Sequence, residues 1–491
     1  MRRNAHRHNK SPTLILFRND LRISDNRALA AAAGNPVVCL YVLDQSGKAR
    51  RPVGGASRWW LHHSLVSLDR SLKERGASLL LRRGDETAVA LETAKAIDAQ
   101  AVYWNRRYEP GAVHADTQLK TTLRSKGVAA ESFDGQLLHE PSRLRTGSGG
   151  AYKVFGAFER ALWAEPEPRD PVDAPDRLIP FHSEIGDRLA DWRLLPTRPD
   201  WSAGLTANWT PGEPAAHQRL EKFLAAGLTN YAEGRDFPFR AVPSQLSPYL
   251  THGEITPYQI LARLRQQRHS DNNSAKFRSE LAWREFCYHQ AFNLSDLTGV
   301  NVDRRFDAFP WRSDRTGLVG WRQGLTGYPI VDAGMRELWQ TGAMHNRVRM
   351  IVASFLTKHL LVDWRQGEQW FWDTLVDADP ASNPANWQWV AGCGADAAPY
   401  FRIFNPVLQG EKFDADGVYV RRFVPELAGL SPRWIHKPWQ APEPELNSSG
   451  ITLGETYPLP LVDHHLARER ALNAYASIKG IDNKPGFSPA G

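Results

Sequence analysis

The chain has 491 residues, with 61 Lys and Arg against 54 Asp and Glu, a formal charge of +7, and only three cysteines. That length exceeds what a single hydrophobic core organises, so two or more domains are expected, and the modest basic excess leans toward a polyanionic partner. Cys39, Cys287 and Cys393 are too dispersed for a CxxC pair, which points to reduced thiols in the cytoplasm, and with no run of about 18 apolar residues a spanning helix is excluded.

The opening MRRNAHRHNK is basic without the apolar stretch of a signal peptide and reads as a short disordered tail. From Thr13 the runs TLILFR, VVCLYVLD, SLLLRRG, AVYWNRR and AAESFDG have strand length and alternate with segments of helical spacing. This predicts an α/β domain over residues 12–140, a doubly wound parallel sheet of about five strands. Residues 141–210 hold the Pro- and Asp-dense AEPEPRDPVDAPDRLIP and read as an interdomain linker without regular helix. Residues 211–478 carry apolar positions at three- and four-residue spacing and predict a larger all-α domain, followed by a short tail over 479–491.

Several motifs lead nowhere. GCGADA at 392–397 matches a dinucleotide fingerprint but lies in the helical part, without the strand that such a fingerprint needs. The pairs His62-His63 and His464-His465 lack the i, i+4 spacing of helical metal ligands, and surface or capping roles are expected for them. No GxxxxGK[ST] or GxSxG is present, and no metal site is expected.

Four segments of the helical part concentrate chemistry. In PSQLS, Ser244 and Ser247 lie on a turn that opens a helix, where hydroxyls and free N–H groups suit a phosphate, N-capping being the simpler alternative. In SELAWREF, Glu280, Trp283 and Arg284 fall on one helical face. In MHNRVRMIVASF, Asn346, Arg349 and Met350 share a face while Arg347 points elsewhere. Asp377 and Asp379 follow, and one of them is expected to pair with Arg349. Last comes SNPANWQWV, where Trp387 and Trp389 would point the same way in an extended segment, and opposite duties would require a bend or a helical turn.

The segments FRNDLRISDNRAL, SELAWREF, TGYPIVDAGMRELWQTGAMHNRVRMIVASF, DWRQGEQWFWDTL and NWQWVAGCGADAAPYFRIFNPVLQGEKFD occur in this order, and from residue 13 to about 478 the chain resembles the photolyase and cryptochrome family. The resemblance is closest to bacterial photolyases of cyclobutane pyrimidine dimers, in the branch related to plant cryptochromes. It implies FAD in the helical domain, reduced and anionic when active. Tyr231 and the turn Ser244, Gln245, Leu246 and Ser247 would line its phosphates and ribose; Arg349, Asp377, Asp379 and Asn383 would surround the isoalloxazine, with Asn383 at N5. Glu280, Trp283, Asn346, Met350 and Trp389 would form the cavity for a flipped-out dimer in damaged DNA, which the excited flavin splits by lending an electron. Arg235, Arg284, Arg347, Arg402 and Gln409 would contact DNA around the cavity mouth. Trp387, Trp364 and Trp311 match the family's electron-transfer tryptophans, while Trp339, an alternative outer member, is expected in the core.

Departures from the family pattern are Pro243 in place of a common Thr, Gly156 and Ala157 in place of Thr-Pro, and Gly111, Ala112 and Thr298 where enteric relatives hold folate with Asn, Glu and Lys. An antenna chromophore, methenyltetrahydrofolate, is expected to bind differently if it binds. A monomer is expected. The alternatives are a cryptochrome photoreceptor without repair and a six-four photolyase, the latter disfavoured because Asn346 and Met350 stand in HNRVRM where that class resembles a His-containing pattern.

Overall fold

A computed structural model describes residues 11–482 apart from 182, 184, 241, 268–271 and 397–400. The first ten residues and most of the expected tail therefore lie outside the described residues. Five parallel strands, Thr13–Phe17 (β1), Pro36–Asp44 (β2), Leu79–Gly84 (β3), Ala101–Asn105 (β4) and Ala129–Phe133 (β5), form a sheet in the order β3-β2-β1-β4-β5. The two-residue strand Ile179–Pro180 (β6) adds to the start of β2. Helices Arg27–Ala31 (α1), Gly55–Lys73 (α2), Glu86–Ala96 (α3) and Pro110–Ser125 (α4) connect the strands. The continuous apolar runs of β1 and β2 follow from burial on both faces. Ile15, Phe17, Cys39 and Tyr41 enter one core cluster, and Leu14, Leu16, Val38 and Leu40 enter another.

The stretch expected to lack helix contains two α-helices among its described residues, a ten-residue helix and the short Ala203–Asn208. Phe155–Ala164 (α5) buries Phe155, Phe158 and Leu162 against the helical half. The prolines that suggested a linker begin at Pro166, just beyond its end, so they stop this helix rather than prevent it.

The helical half packs around four elements: Asn272–Asn293 (α6), Asn346–Ser354 (α7), Trp364–Thr374 (α8) and Ser382–Ala391 (α9), with α9 against the other three. Asp363 opens α8 by accepting from the Arg365 amide at 2.9 Å. Asp379 opens α9, its Oδ1 accepting from the amides of Ala381 and Ser382 at 2.9 and 2.7 Å. Gly392, at φ +100°, caps the end of α9, so the GCGADA motif is a helix terminus.

The halves share a polar seam. Arg22 donates to the Gly253 carbonyl at 2.8 Å, Thr256 Oγ1 donates to Asp25 at 2.7 Å, and Trp60 Nε1 donates to Glu254 at 3.1 Å. Gly253 stands at φ +68°, and a Cβ there would lie 1.9 Å from the Asn19 carbonyl oxygen, so this crossing requires glycine.

Candidate active site

A cavity of about 430 Å³ opens between α6, α7 and α9. Tyr231, Ser244, Leu246, Ser247, Arg349, Asp377, Asp379 and Asn383 line it, and so do Glu280, Trp283, Asn346, Met350 and Trp389. The two sets of residues assigned from separate segments therefore share one space. Gln245 departs from the expectation: it is exposed, turns the chain at φ +55°, and is absent from the cavity wall. Its contribution is the turn that aims Ser244 and Ser247 inward.

Arg349 pairs with Asp377 through Nη2, at 3.0 and 2.9 Å to the two carboxylate oxygens, and Ser247 Oγ donates to the same carboxylate at 2.6 Å. Asp377 is thus the partner expected for Arg349. Asp379 instead accepts from the Tyr288 hydroxyl at 2.9 Å while capping α9. Both hydrogens of Asn383 Nδ2 are committed, to the backbone carbonyl of Glu368 at 3.1 Å and to its Oε1 at 2.8 Å. The Asn383 carbonyl oxygen is then the group left for a ligand.

This donor set fits FAD. An acceptor amide at one end, a guanidinium–carboxylate pair beside it and hydroxyls of Ser244 and Ser247 at the other match a ring edge, a polar linker and phosphates. The indole N–H of Trp387 is buried without a partner in this arrangement.

The wall that carries Trp283 and Trp389 is more constrained than the sequence implied. Trp283 stacks on Phe155 with ring centroids 3.6 Å apart and planes at 7°, so one face of its indole is covered by α5. Trp389 Nε1 donates to the Asp396 carbonyl at 2.9 Å, and the Asp396 side chain accepts from the Phe155 amide at 3.3 Å. Asp396, at φ +54°, thereby ties both indoles together. Phe155 and Asp396 were not singled out in the sequence because their partners lie far along the chain.

Two of the expected DNA contacts line the cavity itself. Arg235 lines the cavity and forms an ion pair with Glu280, and Arg284, also on the wall, donates to the Gln136 carbonyl at 2.9 Å beneath the α/β half. Both guanidiniums are partly exposed, and each meets an oxygen partner at the cavity wall. Arg347, Arg402 and Gln409 are outside the cavity wall. Arg347 pairs with Asp236 at 2.7 Å over the Phe413 ring, Arg402 is exposed, and Gln409 is half-buried on the helix Pro406–Phe413.

Helical geometry separates the two indoles of SNPANWQWV. At 100° per residue, Trp387 and Trp389 project about 200° apart, so the same-side arrangement of an extended segment does not occur. Trp387 packs into the core against Phe371 at 5.0 Å and Trp321 at 6.1 Å. Trp364 is fully buried, its Nε1 donating to Asn301 at 2.9 Å, and half-buried Trp311 packs on Phe309 in the same cluster. Trp339 is 58 % exposed and stacked on Trp370, not in the core as expected, because its side of the helix Pro329–Thr341 faces solvent.

A family model described as the FAD binding domain of DNA photolyase matches residues 277–477, and one described as DNA photolyase matches residues 13–176. The chain is 54% identical over 474 residues to a deoxyribodipyrimidine photo-lyase of Agrobacterium fabrum, covering 96% of this chain and 98% of the relative. The chain belongs to the photolyase and cryptochrome family. Its fold superposes on the crystal structure of a bacterial class III photolyase from Agrobacterium tumefaciens with a TM-score of 0.94, at 53% identity, over 97% of this chain and 99% of that one. Cryptochrome-1 of Arabidopsis thaliana is 36% identical over 480 residues, covering 95% of this chain and 70% of the plant protein.

Proposed function

We propose that this chain is a deoxyribodipyrimidine photolyase, a carbon–carbon lyase that repairs cyclobutane pyrimidine dimers in DNA under blue light. The observation that carries this reading is the single cavity in which the acceptor oxygen of Asn383 and the pair Glu280–Trp283 meet. Bound FAD, in its reduced state, supplies light-driven electron donation.

The protein's part is positional. Arg349 and Asp377, locked to one another and to Ser247, hold the polar flank of the cofactor. Trp283, backed by Phe155, and Trp389, held by Asp396, form an apolar wall for the pyrimidine rings; flipping is an established entry route for photolyases as a class. Glu280 faces that wall and offers a carboxylate to the imide edge of a pyrimidine, while its ion pair with Arg235 places positive charge where the dimer acquires an electron. Trp387, Trp364 and Trp311 form the inward route that returns the flavin to its reduced state. Arg347, Arg402 and Gln409 hold the DNA backbone.

A second cavity, of about 260 Å³, lies between the halves and includes Gly111, Ala112 and Thr298 together with Lys48, Arg50 and Arg51. Its basic wall supports an anionic antenna chromophore such as methenyltetrahydrofolate. The reading further takes the enzyme as a monomer and as cytoplasmic, the latter supported by three buried free thiols of the kind a reducing compartment keeps.

Oligonucleotides carrying either a cyclobutane dimer or a six-four product, illuminated with photoreduced protein, test the assignment. Restoration of the first and not the second is expected. Repair of the six-four product alone would reassign the substrate, and repair of neither would favour a photoreceptor.

A further inference from the structure

The segment between β2 and α2 carries Arg51 from the α/β half across to α8. Its Nη1 donates to both carboxylate oxygens of Glu368, at 2.7 and 3.0 Å. The guanidinium also lies 4.6 Å from the centroid of the Trp372 ring, one turn further along α8. The Glu368 side chain is only 4 % exposed, and the oxygen that meets Arg51, Oε1, also accepts from Asn383 Nδ2. An unbroken chain of contacts thus runs from the wall of the second cavity, where Arg51 stands, to the amide that faces the first.

We propose that Arg51 is a positioning residue for the flavin: by holding Glu368 as an acceptor, it fixes the Asn383 amide with its oxygen turned into the active-site cavity. The argument rests on the reading that the flavin ring edge meets Asn383. With both Nδ2 hydrogens taken by Glu368, only Oδ1 is available to the ring, and an oxygen pairs with a ring N–H while repelling a bare ring nitrogen. The site is therefore built for a flavin that carries a proton on that edge.

The arrangement is firmest while Glu368 is ionised, since both its carboxylate oxygens then only accept. The charged groups facing it are Arg51 from the α/β half, which favours the carboxylate, and Asp296 from the loop after α6, which opposes it. Burial is the largest influence and pushes the Glu368 carboxyl up, with Arg51 the first of the groups that draw it back down. Without Arg51 the carboxyl protonates more readily and becomes a donor. Asn383 then keeps only the Glu368 backbone carbonyl as a firm acceptor, so the hold on its orientation weakens and its oxygen is less strictly turned to the flavin edge.

The test uses R51M and R51K in the full chain. Infrared titration follows the carbonyl stretch of the protonated Glu368 carboxyl, assigned by its loss in E368Q, and is measurable with or without flavin. In R51M the midpoint should rise by about one to three pH units, the effect of removing an adjacent opposite charge. Anaerobic photoreduction read by visible absorbance should yield about tenfold less of the N5-protonated one-electron form in R51M, with R51K restoring most of it, a ratio equal to about 1.4 kcal/mol, within the range of one ordinary hydrogen bond. An R51M protein with the wild-type midpoint, or with the wild-type photoreduction product, overturns the proposal. Wild-type protein that binds no flavin would instead overturn the reading beneath it, and the infrared titration would still judge the Arg51–Glu368 pair.

Discussion

Glu280 and Asn383 are assigned different tasks within one cavity, and single substitutions separate them. Glu280→Ala removes the carboxylate from the lesion side but leaves the Arg349–Asp377–Ser247 cluster intact. Repair per absorbed photon should fall about tenfold or more, the scale of one charge-assisted hydrogen bond, while the FAD content read by absorbance stays at the wild-type level. Loss of flavin from this variant would contradict the assignment. Lys358 supplies a pH test away from the reaction. Its ammonium donates to the Arg402 carbonyl, lies 4.5 Å from the centroid of the Phe401 ring, and is pushed by burial from 10.5 down to about 7. Between those values the unfolded chain binds the proton and the folded chain releases it, so stability should rise with pH through this window and level off above it. In Lys358→Met the rise should shrink, as seen by urea midpoints at low and high pH; an unchanged slope would place the buried charge elsewhere.

At the scale of elements, α8 and α9 decide how the cofactor and the tryptophans are spaced. Gly367 on α8 lies against Trp387 so closely that a Cβ would stand 2.1 Å from its ring, with Leu356 at 2.7 Å. Gly367→Ala should cost about 1–3 kcal/mol in chemical denaturation, the range for overpacking, and should slow photoreduction by displacing Trp387. A variant as stable as the wild type would show that α8 and α9 adjust freely. Trp364→Phe should block photoreduction of oxidised protein yet leave repair by chemically pre-reduced protein intact. Equal loss of both would make Trp364 structural. The elements were legible where a local pattern specified them. Runs such as LILF and VVCLYVL are apolar throughout because both sheet faces are covered, and the three- and four-residue spacing of the helical half reflects one-sided burial. In α9 the pattern gave no such direction: Trp387 and Trp389 project to different sides of the helix yet both meet the core and the cavity, so its period is lost. α5 was hidden for another reason, the density of proline immediately after it.

At the scale of the whole molecule, the site depends on pairs that no spacing reveals. Glu280, Trp283, Arg349 and Asp377 were found because local faces and family motifs bring them forward, whereas Phe155, Asp396, Glu368 and Arg51 matter through partners more than 100 residues away, or through the choice of oxygen that a buried cation finds. The same long-range selection gives Arg235 and Arg284 their oxygen partners at the cavity wall. The remaining cations, Arg347 and Arg402, should then carry part of the backbone contact. Replacing either by alanine should weaken binding to damaged DNA and lower the slope of log affinity against log salt by about one. An unchanged slope would move the DNA to another face. The central claim is that one cavity brings a reduced flavin against a pyrimidine dimer. Its most direct test is blue-light illumination of pre-reduced protein with a dimer-containing oligonucleotide, following recovery of pyrimidine absorbance. The account predicts recovery that requires light and is strongly reduced in Glu280→Ala; protein with its full flavin content that restores no pyrimidine absorbance would contradict it.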